Sequence, residues 1–388
     1  MKIIQIIAAY KPAYIYGGPT MSVSRLCETL ATEPEIQVEV FTTTANGKTE
    51  LQIVPNQSCM VEGVRVTYYE RLTKDHTHFS PKLLWSLRKE ILNNSQLIIH
   101  IHAWWNLVSI FSCGIAKWYN IPVILSPRGM LTTYTEKNRN EGIKLIIHTL
   151  IGKRLLKYCH IHATSEKEKE DVLTITQPKS ITIIPNLVDI PVFHKEASSN
   201  NPMNLEDPFK FIFLSRVEEK KGLELLFEAL VDLPFNWQLT IAGSGEEEYV
   251  NSLKTKAESL KLSKMISWVG HVKNENKFKL MAQHNLLVLT SYNENFANVV
   301  IESLSVGTPV LLSDQVGLAE YVKEKELGWI TNLTIENIRK NIIIAFQQTN
   351  MRAKIREVAP QLITDDFNSN NLIQKYITLY KQVKNGRL

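Results

Sequence analysis

Short runs of apolar, mostly β-branched residues alternate with longer amphipathic stretches along the whole 388-residue chain. The short runs predict strands, and the stretches between them, such as GLELLFEALVDL and EEEYVNSLKTKAESLKL, predict helices. Regular alternation of the two is typical of parallel α/β units. The predicted strands lie at 2–8, 37–43, 97–103, 122–126, 160–165, 210–215, 238–243, 286–291 and 309–313.

The two halves of the chain share this organisation, which predicts two Rossmann-like, doubly wound domains at 1–200 and 201–366. The polar segment ASSNNPMNLEDP, residues 197–208, has the composition of a linker between them. Two such domains facing each other would bring the carboxyl ends of both sheets to a shared cleft, where ligands bind. The last segment, 367–388, is predicted as one amphipathic helix, with apolar residues at Leu372, Ile373, Tyr376, Ile377 and Tyr380.

Composition narrows the class of protein. No apolar run approaches the roughly 18 residues of a membrane span. Lys11-Pro12 directly follows MKIIQIIAAY without a cleavage pattern, so we expect an N-terminal strand and a cytoplasmic protein rather than an exported one. The four cysteines have no CxxC spacing, which favours reduced thiols over disulfides or zinc.

The net charge of +5 is unevenly distributed. Residues 1–200 contain 22 Lys and Arg against 17 Asp and Glu, whereas residues 201–388 contain 22 of each. The excess is too small for a nucleic-acid-binding protein, but a local basic face against anionic lipid stays open.

Cations and glycines follow two predicted strands of the second half. Arg216 and Lys221 come just after the strand at 210–215 and at the start of a helix. Either could be an ordinary surface residue, but together they suggest an anion site, since Arg offers a planar set of donors and Lys a mobile charge. After the strand at 238–243, Gly243 and Gly245 lead into a helix and allow a ligand to approach the backbone.

Two glutamates follow the strand at 286–291. Glu294 lies in the turn at the strand end, and Glu302 lies in the helix that begins near Ala297. A carboxylate near a helix N-terminus is favoured by the dipole, by roughly 0.3–1 kcal/mol, and can accept two hydrogen bonds from a diol. We therefore expect a ribose diol on Glu302, a second polyol on Glu294, and a diphosphate on Arg216, Lys221 and the helix amides. Those amides belong to Phe296, Ala297, Asn298 and Val299.

The first half contributes its own candidates. Gly17 and Gly18 follow the first strand and open a helix, as at a phosphate site. His100 and His102 share one face of the strand at 97–103, where either a polar cleft residue or a satisfied core histidine is possible. Two imidazoles without nearby cysteine or carboxylate do not make a metal site. Trp104 and Arg128 follow neighbouring strands and are candidates for the acceptor side.

The ordered set of these segments resembles the nucleotide-sugar glycosyltransferases of family 4, which have the GT-B fold. The segments are the Gly-Gly loop, HIHAWWN, SPRGML, SRVEEKKG, IAGSG and the two glutamates with seven residues between them, and they span nearly the whole chain. The resemblance implies a retaining transfer of a sugar from a nucleotide diphosphate donor, with UDP preferred and GDP next. It also implies that the terminal helix crosses back to the first domain.

The resemblance assigns roles to individual residues. Glu302 would hold the ribose hydroxyls, and Glu294 would hold those of the donor sugar. His102 would sit beside the reacting sugar and the acceptor, and His271 would lie near the base. Arg216 and Lys221 would neutralise the leaving diphosphate, helped by backbone at Gly17, Gly18, Asn298 and Val299.

The family often has glycine at two positions where this chain has Asn295 and Ala297. This difference bears on which donor sugar the chain prefers. It also contains no Asp-x-Asp element, which other sugar transferases use to hold a metal. Arg216 and Lys221 can take over that role, so we expect no metal and no cofactor beyond the sugar nucleotide.

Residues 135–158 combine lysines and arginines with leucines and isoleucines. This segment could be a helix that packs on its own domain, or a basic amphipathic surface that reaches a membrane and a lipid-linked acceptor. The second interpretation would suit the synthesis of a cell-surface polysaccharide such as capsule, O-antigen or exopolysaccharide.

Three other functions would each be expected to show a different sequence feature. An NAD-dependent oxidoreductase would carry GxGxxG after the first strand, where this chain has YGGPTMSVSR. A glycosidase could use Glu294 and Glu302 as its pair of carboxylates, but would leave the anion site unused. A two-lobed sugar-binding protein would normally carry an export signal.

Overall fold

Two largely parallel sheets contain the predicted strands in this computed structural model, which describes residues 1–94, 96–132, 152–191 and 207–386. The chain forms two units: Met1–Leu187 with Ser369–Leu388, and Val188–Asn368. The α/β fold class predicted from the sequence is therefore confirmed. The predicted boundary at residue 200 lies outside the described residues.

The sheet of the first unit is parallel except at one edge. Its strand order is β10-β9-β8-β7-β1-β2-β6-β5, and only the β5–β6 pair is antiparallel. The central strands are buried along their length, as expected for a parallel sheet covered on both faces. The strands are β1 Lys2–Ile6, β2 Gln37–Thr43, the short pair β3 Ala45–Asn46 and β4 Thr49–Glu50, β5 Ser58–Val61, β6 Val64–Tyr69, β7 Leu97–His102, β8 Val123–Ser126, β9 His160–Ala163 and β10 Ser180–Ile183.

Helices connect these strands and cover the sheet. One core cluster joins apolar side chains of the central strands to leucines and isoleucines of the helices between them. The C-terminal helix belongs to this unit and packs against its first helix. The helices are α1 Gly18–Ala31, α2 Pro81–Asn93, α3 Leu107–Trp118, α4 Lys153–Leu156, α5 Glu166–Ile175 and the C-terminal α13 Ser369–Lys384.

The sheet of the second unit is entirely parallel, in the order β13-β12-β11-β14-β15-β16. Counted from β11 as the first strand, this is the doubly wound order 3-2-1-4-5-6, in which the connections change direction between β11 and β14. Ligands bind outside the carboxyl ends of the strands at such a switch point. The strands are β11 Phe209–Leu214, β12 Trp237–Ala242, β13 Ile266–Gly270, β14 Leu286–Leu289, β15 Val310–Ser313 and β16 Gly328–Thr331.

The helices of the second unit alternate with its strands, as the sequence pattern predicts. After β16, two helices follow each other before the C-terminal helix begins. The helices are α6 Leu223–Leu230, α7 Glu247–Ser259, α8 Asn274–Ala282, α9 Asn298–Ser305, α10 Ala319–Glu324, α11 Ile335–Gln347 and α12 Thr349–Asp366.

Every strand predicted from the sequence is present, with ends that differ by a few residues. The apolar pattern of the sequence did not predict β5, β6, β10, β13 and β16, or the short β3–β4 pair. Four of these are edge strands, which are short and partly exposed, so their apolar pattern is weak. In β6 the alternation VRVTYY is clear and could have been recognised.

Candidate active site

The switch point of the second unit brings Lys221 and Glu294 together. Lys221 ends the 3-10 turn Glu219–Lys221 after β11, and Glu294 lies in the turn after β14. The Lys221 ammonium contacts Glu294 Oε1, and the two side chains are 7% and 13% exposed. The next residue, Gly222, has φ 66°, and a Cβ there would lie 2.2 Å from the Thr290 carbonyl oxygen. Glycine therefore lets the Lys221 turn lie against the end of β14.

The charge on Lys221 depends on its neighbours. Burial, together with the cations Lys220 and Arg216, lowers the pKa of the Lys221 ammonium. The carboxylates of Glu218 and Glu294 act in the opposite direction. A nearby anion therefore stabilises the charged form of Lys221, which suits a site for a diphosphate.

Arg216 lies two residues beyond the end of β11 but does not join the buried pair. Its side chain is 42% exposed, and Nη1 lies 2.6 Å from Glu218 Oε1. Such an exposed pair contributes little to stability. Arg216 is therefore a solvent-accessible cation at the same strand end as the buried Lys221.

Glu302 forms an ion pair that the sequence analysis missed. Its partner, Lys277 of α8, places Nζ 2.7 Å from Glu302 Oε1, with side-chain exposures of 11% and 12%. The two residues are far apart in sequence, and an isolated lysine in a helix gives no signal for such a pair. Glu302 is thus the second carboxylate at this end of the sheet that a buried lysine holds.

The glycines at the end of β12 serve the packing of the protein backbone. A Cβ at Gly243 would lie 1.8 Å from the Ser215 carbonyl oxygen, and one at Gly245 would lie 2.1 Å from that of Val217. Val217 N donates to the Ser244 carbonyl at 2.9 Å, which joins the loops after β11 and β12. These glycines let the loops after β11 and β12 pack against each other, and the ligand contact predicted for them stays a prediction.

Helix α9 begins where the sequence predicts, but with an unusual cap. Ala297 is the N-cap residue and has the left-handed φ of 64°, which favours glycine. The Phe296 side chain is 2% exposed and packs edge-to-face on Phe367, so only its backbone is placed for a ligand contact. Asn295, Asn298 and Val299 are half-buried beside the cap. His271 is exposed and directly follows β13.

In the first unit, Gly17 caps α1 and Gly18 begins it, as the sequence predicts. Trp104 is a correction, because its side chain is 0% exposed and belongs to the hydrophobic core. The preceding Ala103 has φ 69°, a turn that the sequence pattern does not reveal. A buried core tryptophan cannot contact an acceptor in this structure.

His102 is enclosed and hydrogen-bonded through both ring nitrogens. Nε2 lies 2.7 Å from Gln5 Oε1, and Nδ1 accepts from Arg128 Nε at 3.3 Å. Half-buried Arg128 also donates through Nη1 to Ser22 Oγ and Asn186 Oδ1, both at 3.0 Å. Burial lowers the pKa of His102 well below its usual value. The catalytic role predicted for His102 stays a prediction.

Most of the predicted basic amphipathic surface, 135–158, lies outside the described residues. Within its described end, α4 buries Leu155 and Leu156, as a helix packed on its own domain would. Among the described helices, none is both long and apolar enough to cross a membrane. The described histidines, cysteines and acids contain no group of three that could hold a metal ion.

Two family models match consecutive parts of the chain. Residues 16–191 match the model described as Glycosyltransferase Family 4. Residues 195–362 match the model described as Glycosyl transferases group 1. Between them they cover both units.

Similar proteins include several glycosyltransferases. Glycogen synthase of Mycobacterium tuberculosis is 24% identical over 84% of this chain and 81% of its own length. Sucrose-phosphate synthase of Thermosynechococcus elongatus superposes with a TM-score of 0.77 at 20% identity, covering 98% of each chain. Anabaena HepE, solved in complex with UDP-glucose, has a TM-score of 0.75 at 18% identity, covering 98% of this chain and 100% of its own. At these identities the structural likeness concerns the GT-B fold.

Proposed function

Since this chain belongs to glycosyltransferase family 4, we propose that it transfers a sugar from a nucleoside diphosphate donor to a glycan acceptor. The observation that carries this proposal is the pair of buried lysine–glutamate contacts, Lys221 with Glu294 and Lys277 with Glu302, at the carboxyl end of the second sheet. A UDP-sugar is the first choice of donor, supported by the UDP-glucose complex of Anabaena HepE. A GDP-sugar is the second.

The donor would bind through three kinds of group. Arg216 and Lys221 neutralise the diphosphate, and the amides at the start of α9 add hydrogen bonds to it. Glu302 accepts from the two ribose hydroxyls, with Lys277 fixing its carboxylate. Glu294 accepts from hydroxyls of the donor sugar, and its contact with Lys221 links sugar recognition to the leaving diphosphate. This division gives each of the two acids and each of the two lysines a role in binding the donor.

Charge stabilisation of the leaving group would supply much of the catalysis. Negative charge develops on the diphosphate as the glycosidic bond breaks, and a preorganised donor for such charge is typically worth roughly 3–4 kcal/mol. We propose that Arg216 and Lys221 do this without a metal, and that the transfer retains the anomeric configuration.

The acceptor would be handled by the first unit, whose candidates are His102 and Arg128. We propose a lipid-linked glycan, used on the cytoplasmic side of a membrane in the synthesis of a cell-surface polysaccharide. The positive charge excess of residues 1–200 supports this acceptor, because a lipid diphosphate and its membrane are both anionic.

A donor screen tests the proposal. The protein is incubated with UDP- and GDP-sugars and a lipid-diphosphate sugar acceptor, and products are read by mass spectrometry. We expect a mass increase of one sugar with at least one donor. Thermal-shift measurements with UDP, NAD and free sugars run alongside, and stabilisation by NAD or free sugar but by neither UDP nor GDP would contradict the proposal.

A further inference from the structure

A continuous line of buried polar groups runs through the first unit. It starts at the Arg128 guanidinium and ends at the backbone carbonyl of Ile184, and it passes through the hydroxyl of Tyr380 on the C-terminal helix α13. All three of its histidine side chains are fully buried. In order, the contacts are Arg128 Nε to His102 Nδ1 (3.3 Å), His102 Nε2 to Gln5 Oε1 (2.7 Å), Gln5 Nε2 to Tyr380 Oη (3.1 Å), Tyr380 Oη to His100 Nδ1 (2.7 Å), His100 Nε2 to Ser126 Oγ (2.7 Å), Ser126 Oγ to His162 Nδ1 (2.6 Å) and His162 Nε2 to Ile184 O (2.8 Å).

The direction of every hydrogen bond can be worked out from the arginine end. A guanidinium N–H can only donate, so His102 Nδ1 accepts and a neutral His102 carries its proton on Nε2. His102 Nε2 then donates to Gln5 Oε1, which fixes the orientation of the Gln5 amide. Gln5 Nε2 donates to Tyr380, whose hydroxyl is left to donate to His100 Nδ1.

The carbonyl end gives the same directions independently. A carbonyl can only accept, so His162 carries its proton on Nε2 and its Nδ1 accepts from Ser126. The Ser126 oxygen then accepts from His100 Nε2, and His100 Nδ1 accepts from Tyr380. The two ends agree at the Tyr380–His100 bond, where a mismatch would have placed two donors or two acceptors face to face. With neutral rings, the line is therefore consistent only with all three histidines protonated on Nε2.

We propose that this line is a positioning device that fixes the Gln5 amide against His102 and thereby the orientation of His102 and Arg128. Through it, a hydroxyl on the C-terminal helix orients the amide whose oxygen accepts from His102 Nε2. The inference deepens the proposed function, because it concerns two residues assigned there to the acceptor. Its positioning residues are Gln5, Tyr380, His100, Ser126 and His162.

Burial supports a neutral line. It lowers the pKa of His100 and His102 well below the usual range and that of His162 to about 3. Adding a proton to any of the three histidines would turn an acceptor nitrogen into a second donor and would place a charge in the core, near the Arg128 cation. Burial lowers the pKa of Arg128. Every bond dipole in the line points its negative end toward Arg128, which acts against that effect.

Nuclear magnetic resonance on the protein without substrate tests the inference. With ¹⁵N-labelled histidine rings, long-range proton–nitrogen spectra distinguish protonated from unprotonated ring nitrogens, and single histidine substitutions assign the signals. We expect His100, His102 and His162 to be neutral and protonated on Nε2 at pH 7. An Nδ1-protonated or doubly protonated ring at any of the three would overturn the inference.

Two tyrosines one turn apart on α13 provide a matched pair of variants. Tyr380→Phe removes the hydroxyl at the centre of the line, so Gln5 Nε2 loses its acceptor and the His102 Nε2 signal should shift as its bond to Gln5 Oε1 weakens. Tyr376→Phe removes an equally buried hydroxyl, which lies 3.1 Å from His162 Nε2 but outside the line, and should leave His102 unchanged. Unchanged His102 signals in Tyr380→Phe would contradict the inference. If that variant does not fold, the spectrum of the unsubstituted protein decides.

Activity separates this inference from the proposed function. Tyr380→Phe should lower kcat about tenfold or more while the KM for the donor stays within about twofold, because Arg216, Lys221 and Glu302 lie in the other unit. If the histidines have the expected tautomers but the protein transfers no sugar, the proposed function is overturned and this inference is not. If the protein transfers sugar but any of the three histidines has another tautomer, this inference is overturned and the proposed function is not.

Discussion

Lys277 and Glu302 form an ion pair between helices α8 and α9, with Nζ 2.7 Å from Oε1. Glu302 lies in the helix that follows β14, one of the two strands at the switch point of the sheet. Both side chains are almost nine-tenths buried, with exposures of 11% and 12%. Removing one partner from such a pair leaves a buried charge uncompensated, which is more costly than the pair itself is stabilising.

The first prediction concerns stability. Lys277→Gln should lower the free energy of unfolding by about 2–3 kcal/mol, because the Glu302 carboxylate loses its partner inside the protein. Lys256→Gln is the control, since Lys256 pairs with Glu228 between side chains that are 30% and 34% exposed, and it should cost less than about 1 kcal/mol. Urea unfolding measures both values. Equal losses would show that the Lys277 pair is an ordinary surface contact.

The second prediction concerns the left-handed cap at Ala297. Ala297→Gly should raise the free energy of unfolding by up to about 1 kcal/mol, because a residue with a Cβ is strained at φ 64°. Ala353→Gly, at an exposed position inside α12, should instead lower it by about 1 kcal/mol. Thermal and urea unfolding give the comparison, and a loss of stability in both variants would contradict the strain argument.

The sequence predicted the framework of the fold better than the contacts of the site. Runs such as QVEVFTT and LIIHIHA predict strands because burial on both faces demands continuous apolar residues. Neighbouring strand ends then bring Lys221 and Glu294 together, as parallel topology requires. The partner of Glu302 could not be predicted, since Lys277 reaches it through the packing of two helices.

Local backbone geometry explains the other differences. The left-handed turn at Ala103 directs Trp104 into the core, and the one at Ala297 starts α9, although neither residue is a glycine. Gly243 was recognised as a point of close approach, but the approaching group is the backbone of Ser215. Periodicity cannot reveal such features, because they depend on which strand lies next to which.

The third prediction concerns metals. Sugar transfer should persist at full rate in the presence of a chelator, because Arg216 and Lys221 supply the positive charge for the leaving diphosphate. Arg216→Gln should lower kcat by about 10²–10³-fold, the usual cost of losing a donor to developing charge. Loss of activity with a chelator and recovery with manganese would contradict this account.

The fourth prediction concerns acid. Burial lowers the pKa of His162 to about 3, whereas an unfolded histidine titrates near 6.5. Below pH 6.5 the unfolded state therefore binds a proton that the folded state does not, and stability falls as the pH falls toward 3. This histidine alone should contribute a slope of about 1.4 kcal/mol per pH unit in that window.

The variant His162→Gln isolates that contribution. Between pH 6 and 4.5, its free energy of unfolding should change less with pH than that of the unsubstituted protein. The difference between the two slopes should equal the contribution of one histidine, about 1.4 kcal/mol per pH unit. Urea midpoints at several pH values provide the data. Parallel pH profiles for the two proteins would show that His162 is already protonated in the folded state.

The most direct test of the central claim is calorimetric titration of UDP into the protein and three variants. We expect UDP to bind, and Arg216→Gln and Glu302→Gln to weaken it at least about tenfold, since each loses a charge-assisted hydrogen bond. Lys354→Gln, which alters an exposed pair with Glu326, should bind UDP as the unsubstituted protein does. If UDP does not bind, or binds all three variants equally, the carboxyl end of the second sheet is not the nucleotide site.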